Sequence, residues 1–327
     1  MPAPTLSCSS LKKTMNRLFA IMLALISCGC VSPRETSEQA GKELVRFEKD
    51  GRFGFKDGAG SVVIQPVWDD AAEFACGLFP VNKGAALDYT YAPARRHGGK
   101  WGYVNAQGAV VIPLTLDWAY TFTEGLAQVS DAQGRRFIDT QGRTVIAVDA
   151  ACHAGRLREG LIPVYIDRSL KKQDWQTMFI NRRGEPLFTV DGYATEFHEG
   201  LSVLAVRKQT DTSTAQYGFI DCTGKIVIDP QFAEAFGFNE GLAGVRTTKT
   251  TGWYGKGDAW GYIDKTGKYV LEPTFNEVHA FHKGVARVHV GGKLREYAVH
   301  APPVWEGGEW QLINRKGEVL KRNIILE

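Results

Sequence analysis

The chain has 327 residues, enough for two average domains or for one large repeat domain. Its hydrophobic fraction of 44% permits a sizeable core. Without Lys12, Lys13 and Arg17 near the N-terminus, the 39 basic residues fall to 36 and balance the 36 acidic ones. A neutral chain without a run of basic residues excludes counterion-driven binding to nucleic acids.

The N-terminus carries the pattern of an export signal. Basic residues precede the apolar run from Leu18 to Ile26, which is too short to span a membrane. The run leads into Ser27 and Cys28, and this segment resembles the lipobox of bacterial lipoproteins. The resemblance implies that Cys28 is acylated and becomes the first residue of the mature chain. Gly29 rather than Asp after it favours the outer membrane of a Gram-negative cell.

These features predict an export signal over residues 1–27, a lipidated flexible tether over 28–43 and a repeat domain over 44–327. Three alternatives remain at this stage. The signal can be an ordinary secretory one with an incidental cysteine, Cys30 can compete as the acylated residue, and translation can start at Met15. With the lipid anchor, the chain is expected in the bacterial cell envelope.

The other cysteines do not indicate redox or zinc chemistry. Cys30, Cys76, Cys152 and Cys222 include no C-x-x-C spacing. An exported protein permits disulfides. No pairing is favoured, and free thiols are an equal alternative.

One unit recurs along the chain from residue 44 onward. It has a Trp-Gly-Tyr-type strand, an Asp/Asn-x-x-Gly turn and a second apolar strand, which together predict a hairpin. A proline such as Pro230 is expected to end the second strand. Complete copies start at Trp101, Tyr217 and Trp260, an earlier one starts at Phe53, and degenerate copies lie near Arg135, Met178 and Trp310.

A Glu-Gly-Leu motif follows four of the hairpins and opens a third strand of the unit, with Cys76-Gly77-Leu78 and Lys283-Gly284-Val285 as variants. Because these glutamates recur at one position of the unit, we interpret them as acceptors of backbone N–H groups at a turn and not as catalytic acids. They are Glu124, Glu159, Glu199 and Glu240.

These motifs resemble WG repeats, also called KWG repeats, over roughly residues 44 to 320. The resemblance implies an interaction module without an assigned ligand. Seven units of three to four strands predict an all-β fold of antiparallel blades, as in a β-propeller, with an open β-solenoid as the alternative. Copies three, four and seven lack the Trp-Gly pair, which predicts local distortion.

Length variation is confined to the connection after the third strand of each unit. Equivalent loops of stacked repeats emerge on one face, so we expect a binding surface there. These loops are positively charged and rich in Tyr, Trp and Arg, which dominate protein interfaces. The expected partner is an envelope protein or peptide; the alternative is a polysaccharide such as peptidoglycan. The predicted binding residues are Tyr91, Arg95, Arg96, Trp175, Trp253, Tyr254 and Trp305.

The sequence predicts no enzyme, cofactor or metal site. It has no Gly-rich phosphate loop, nucleophile elbow or His-Glu-x-x-His motif. His279, His282 and His289 form a cluster, but their spacing on a β-rich segment places them on different faces. Attachment to the membrane is expected through the lipid anchor only.

Overall fold

The computed structural model describes residues 5–6, 44–88, 95–149, 152–167, 175–208, 211–247, 259–295 and 304–323. Every regular element in these ranges is a β-strand, so this part of the chain offers no helix that could cross a membrane. The all-β prediction is confirmed. The predicted signal and tether, including Cys28, lie outside the described residues except for β1 (Thr5–Leu6).

Seven antiparallel sheets follow one another along the chain. Sheet 1 contains β2 (Val45–Lys49), β3 (Arg52–Lys56) and β4 (Val62–Trp68). Sheet 2 contains β5 (Asp70–Ala71), β6 (Leu78–Asp88), β7 (Arg95–Asn105) and β8 (Val110–Leu116). Sheet 3 contains β9 (Trp118–Ala119), β10 (Leu126–Asp131), β11 (Gly134–Asp139) and β12 (Thr144–Val148), with β1 added parallel to β12.

Sheets 4 to 7 repeat this plan. Sheet 4 contains β13 (His153–Ala154), β14 (Leu161–Asp167), β15 (Trp175–Asn181) and β16 (Pro186–Asp191). Sheet 5 contains β17 (Tyr193–Ala194), β18 (Leu201–Lys208), β19 (Asp211–Asp221) and β20 (Ile226–Phe232). Sheet 6 contains β21 (Glu234–Ala235), β22 (Ala243–Arg246), β23 (Trp260–Ile263) and β24 (Tyr269–Phe275). Sheet 7 contains β25 (Glu277–Val278), β26 (Val285–Val290), β29 (Glu309–Asn314) and β30 (Val319–Arg322), and the ribbon β27 (Lys293–Arg295) with β28 (Val304–Glu306) lies between β26 and β29 in sequence.

Sheets 2 to 7 each begin with a two-residue strand, here called the lead strand, which pairs with the second strand of the sheet. The predicted three-to-four-stranded units are therefore confirmed. The chain divides into two compact units, Met1–Ile166 with Met178–Leu187 and Asp167–Thr177 with Phe188–Glu327. Sheets 1 to 3 lie in the first unit, sheets 5 to 7 in the second, and sheet 4 has residues in both.

The same turn joins the last two strands of every sheet, as the sequence predicts. Its Asp or Asn side chain accepts the backbone N–H groups two and four residues later at 2.8–3.2 Å. Glycine closes the turn with φ of 79–86°, which other residues rarely adopt. Although burial opposes it, hydrogen bonds from Thr223 and Lys225 lower the pKa of Asp221.

Within each compact unit, the core consists of layers between consecutive sheets. In four of these layers an aromatic ring of the strand before the Asp/Asn turn packs against an aromatic ring of the next sheet, and the four pairs have centroids 3.8–4.9 Å apart. Because one sheet cannot bury these rings alone, the sheets must stack to fold. The pairs are Phe55–Phe79, Tyr103–Phe122, Phe219–Phe238 and Tyr262–Phe281.

The glycine of each Trp-Gly pair faces a bulge in the last strand. In sheet 6, Trp260 pairs with Phe275 and Tyr262 pairs with Leu271, so two steps on β23 match four on β24. A Cβ on Gly261 would lie 2.7 Å from the Leu271 carbonyl oxygen. Only glycine leaves room for this backbone.

One expectation about these strands is wrong. The last strands continue through Pro66, Pro230 and Pro273, because an edge strand at a bulge does not need the missing N–H. Sheets 3 and 7, which lack Trp-Gly, differ from the matching copies in their register. Arg136 pairs with Ala147, and Gln311 with Arg322, so the bulge opposite the glycine is missing and only the register shift one step later remains.

The sequence left open whether the cysteines form disulfides or remain free thiols, and the described cysteines include both. Cys152 is completely buried and disulfide-bonded, and Cys222 is also disulfide-bonded. Cys76 is an exposed free thiol. Cys30 lies outside the described residues.

Candidate ligand-binding surfaces

The recurring glutamates form the turn between the lead strand and the second strand. Their φ values of 49–55°, followed by a glycine at 77–86°, are those of a type I′ turn. The Glu240 carboxylate accepts the N–H of Gly284, in the corresponding turn of the next sheet, at 2.8 Å. Glu199 accepts the N–H of Gly241 at 2.9 Å.

Glu124 repeats this contact in the first unit, where its carboxylate accepts the Gly160 N–H at 2.9 Å. The interpretation as turn acceptors is therefore confirmed for Glu124, Glu199 and Glu240. The sequence did not reveal that each of these accepted N–H groups belongs to the following sheet. These bonds align the turns of neighbouring sheets and leave the carboxylates engaged in structure.

The variable connections emerge from the opposite end of every sheet. Strand direction alternates, so both turns of a sheet lie at one end, which we call the turn end. The strand that follows Glu-Gly-Leu, the third strand of the sequence unit, is the second strand of its sheet. The variable connection after it leads to the third strand of the sheet and lies at the other end, which we call the loop end. Each lead strand also starts at the loop end, since it follows the preceding last strand after a short link.

Five of the seven predicted binding residues have no described side chain. Tyr91, Trp253 and Tyr254 fall in the undescribed loops. Arg95 begins β7 and Trp305 lies in β28, and only their backbone is described. The two remaining residues, Arg96 and Trp175, have contrasting surroundings.

Arg96 contacts the chain itself. Its guanidinium lies 3.1 Å from the Glu48 carboxylate, donates to the Gly51 carbonyl at 2.9 Å and stands 4.9 Å from the centre of the Phe53 ring. Its side chain is 15% exposed. Arg96 therefore attaches the β6–β7 hairpin to sheet 1.

Trp175 belongs to an exposed aromatic and cationic group at the loop end. Its ring is 5.9 Å from the Tyr193 ring, and the two residues are each 38% exposed. The Arg207 guanidinium lies 4.7 Å from the centre of the Trp175 ring, within cation–π distance. The Arg207 Nε is buried and has no hydrogen-bond partner in the described part of the chain. We call these three residues the Trp175 cluster.

A cleft of about 300 Å³ lies beside the lead strands of sheets 3 and 4 in the first unit. On one side, Trp118 is 51% exposed and Tyr120 is 37% exposed, with ring centroids 6.0 Å apart at 67°. On the other side, the Arg135 guanidinium donates to Nδ1 of His153 at 3.0 Å and to the Cys152 carbonyl at 3.3 Å. Its lining consists of Trp118, Tyr120, Gln128, Val129, Ser130, Arg135, His153 and Ala154.

Backbone and side-chain hydrogen bonds fix the aromatic side of the cleft. The Tyr120 N–H donates to the Gln128 carbonyl at 3.0 Å. The buried Tyr103 of sheet 2 donates its hydroxyl to the Tyr120 carbonyl at 2.8 Å. Burial in this position raises the pKa of Tyr103 well above its usual value. Tyr103, the tyrosine of the Trp-Gly-Tyr motif in sheet 2, thus helps to position the lead strand of sheet 3 and Tyr120 after it.

Four segments of the chain match the family described as WG containing repeat, at residues 53–85, 101–131, 217–249 and 260–293. Each match starts in the next-to-last strand of one sheet and ends in, or shortly after, the second strand of the next. Each matched segment therefore spans two sheets, and the four matches are the copies that carry a Trp-Gly, Tyr-Gly or Phe-Gly pair.

The comparison with curated proteins found no match. Among solved structures, a eukaryotic initiation factor is 10% identical with a TM-score of 0.54, over 86% of this chain and 74% of that one. A puromycin hydrolase is 11% identical with a TM-score of 0.41, over 87% of this chain and 52% of that one. AztD of Citrobacter koseri is 12% identical with a TM-score of 0.30, over 86% and 81%. At these identities the first likeness concerns the fold alone, and the other two are too weak to support an argument.

The cleft coincides with a copy that departs from the WG pattern. Arg135 occupies the position that holds Trp101 and Trp260 in matching copies, four residues before the turn Asp or Asn. In sheet 6 the Trp260 ring stacks on Phe236, the residue after the lead strand, at 4.7 Å and 8°. In sheet 3 the equivalent residue is Tyr120; among the described residues no tryptophan of the third strand covers it, and the cleft opens there.

Two of the three histidines contact the same ring, contrary to the expectation that all lie on different faces: the His279 and His289 rings lie 5.4 and 5.2 Å from the Trp310 ring, whereas His282 is exposed. His279 also contacts the Arg287 guanidinium at 3.0 Å. Burial, reinforced by the Arg287 charge, lowers the pKa of His279. The described part of the chain contains no group of three His, Cys, Asp or Glu side chains that could hold a metal ion.

Sequence reasoning missed Trp118 and Tyr120 because the lead strand has only two residues and lies within a connecting segment. One signal was available. We call the lead strand together with the residue after it the lead segment. In each lead segment a small or apolar residue, such as Ala119 or Ala194, stands between two outward-facing positions. The outward positions vary between copies, and only sheet 3 has aromatic residues at both.

Proposed function

We propose that this chain is a binding scaffold of the bacterial cell envelope that holds a protein or peptide at its loop ends. The Trp175 cluster is the main support, since it exposes two aromatic rings beside a guanidinium at a loop end. Such residues dominate protein interfaces. The turn ends have the opposite character, because turn-to-turn hydrogen bonds occupy them.

The proposed attachment is a lipid on Cys28, favouring the outer membrane of a Gram-negative cell. Its support is the lipobox-like sequence and the apolar run before it. Export by this route removes residues 1–27, including Thr5 and Leu6, which pair with β12 in the structure. We propose a non-enzymatic role, since the recurring glutamates serve as turn acceptors.

Binding is tested by cross-linking the tagged full chain to its neighbours in intact cells and identifying them by mass spectrometry. The variant combining Trp175→Ala and Arg207→Ala should lose at least tenfold of the main cross-linked partner. Lys225→Ala with Thr266→Ala, at the turn end, provides the control and should retain it. Equal recovery of every partner by the loop-end variant would show that this surface is not the binding site.

Lipidation is tested with radiolabelled palmitate. The Cys28→Ser chain should incorporate no label and should leave the membrane fraction, whereas the Cys30→Ser control should behave as wild type. Label that still enters the Cys28→Ser chain rules out Cys28 as the lipid site, and label lost only from Cys30→Ser assigns the lipid to Cys30.

A further inference from the structure

We propose that the cleft of sheets 3 and 4 binds a single sugar ring that carries a carboxylate. The ring would stack on Trp118, and Arg135 would attract the carboxylate. This site lies in the first compact unit and contains none of the residues of the Trp175 cluster. The inference therefore does not depend on a protein partner at the loop ends.

The aromatic side suits the apolar face of a sugar ring. Trp118 leaves about half of its surface in solvent, and Tyr120 stands at 67° to it, so the two rings form a corner rather than a sealed core. The C–H groups on one face of a pyranose pack against an aromatic face through dispersion. Exposed rings held by backbone hydrogen bonds offer that contact with little loss of side-chain entropy.

The polar side suits hydroxyl groups and a negative charge. Gln128 and Ser130 provide amide and hydroxyl groups that can both donate and accept. Since a guanidinium only donates, Nδ1 of His153 accepts from Arg135, which leaves the ring proton on Nε2. None of the lining residues is acidic, and Arg156 adds a second positive charge 5.4 Å from the centre of the Tyr120 ring. This environment favours an anionic ligand over a neutral one.

The dimensions favour one sugar ring over a peptide. A volume of about 300 Å³ is at the lower limit of small-molecule sites and accommodates one ring of a chain or a free monosaccharide. A peptide adding to a sheet needs a row of backbone partners. The lead strand β9 has two residues, which is too short for that mode.

The test uses NMR titration of the full-length protein with glucuronate and galacturonate. Glucose and galactose serve as neutral probes, and benzoate serves as a flat carboxylate without a sugar ring. We expect millimolar binding of at least one uronate and at least tenfold weaker binding of the matching neutral sugar and of benzoate. Trp118→Ala and Arg135→Gln should each weaken uronate binding at least tenfold.

The matched control is Phe236→Ala, which removes a 38% exposed ring from the position of sheet 6 that is equivalent to Tyr120 and should leave uronate binding unchanged. Thermal melting verifies that each variant folds, and Tyr120→Ala replaces Trp118→Ala if the latter does not. Four results would overturn the inference: no uronate binding, equal binding of the neutral sugars, equal binding of benzoate, or full affinity in folded Trp118→Ala or Tyr120→Ala.

Discussion

Sheets 3 and 6 are built on the same plan, and they differ at the Trp-Gly position. In sheet 6, Trp260 is only 6% exposed and covers Phe236, while Gly261 admits the bulge of β24. In sheet 3, the pair is replaced by Arg135 and Arg136, and β12 pairs without that bulge. The two arginines take different roles, because Arg136 forms an ion pair with Asp131 at 2.6 Å whereas Arg135 lines the cleft.

In sheet 6, tryptophan and glycine act as one packing device. Gly261 lets β24 bulge toward β23, and Trp260 covers Phe236 beside the lead strand. In sheet 3, where both residues are replaced, that bulge is absent and Trp118 and Tyr120 are exposed. A degenerate copy in a repeat protein is therefore a place to look for a ligand site.

The largest expected effect comes from breaking the device in sheet 6. Gly261→Ala places a Cβ 2.7 Å from the Leu271 carbonyl oxygen and 2.9 Å from the Pro273 nitrogen, two backbone atoms that cannot move independently. We expect a loss of about 3 kcal/mol in the free energy of unfolding, measured by chemical denaturation, as overpacking typically costs.

Gly58→Ala is the control for this substitution. Gly58 is in a turn without positive φ, and a Cβ there meets nothing within 4 Å. Its stability should change by less than about 0.5 kcal/mol, as for ordinary surface substitutions. Equal stability of the two variants would mean that the bulge does not require glycine.

An intermediate effect is expected at the turn ends, which sheet 6 shares with its neighbours. Glu240→Ala removes the acceptor of the Gly284 N–H, and we expect a loss of about 1 kcal/mol. Lys283→Ala is a matched control, since Lys283 occupies the same turn position with φ of 52° against 53° for Glu240. If chemical denaturation finds the same loss for both, the loss arises from the backbone and not from the hydrogen bond between sheets.

The sequence was sufficient for the parts of the fold that recur. Asp221 with Gly224 identified a hairpin turn, and Glu240 was correctly interpreted as a turn acceptor, because local chemistry decides both. The partner of Glu240 was not predictable, since it lies in the next sheet. The cleft was not predictable either, because Trp118 and Arg135 come from different strands and line it together only in the folded sheet. In the sequence, Arg135 stands out only because it replaces the tryptophan of other copies.

The smallest expected change in stability comes from restoring the device in sheet 3. In Arg135→Trp, the new ring should stack on Tyr120 as Trp260 stacks on Phe236. Aromatic packing of about 1 kcal/mol should offset the lost hydrogen bonds to Cys152 and His153, so the free energy of unfolding should change by less than about 1 kcal/mol. Uronate binding, followed by NMR titration, should nevertheless be abolished, because the indole would fill the cleft and the positive charge would be gone. A stable Arg135→Trp chain that still binds uronate would show that binding does not depend on the absence of a tryptophan at position 135. The comparison of the two sheets would then explain packing but not binding.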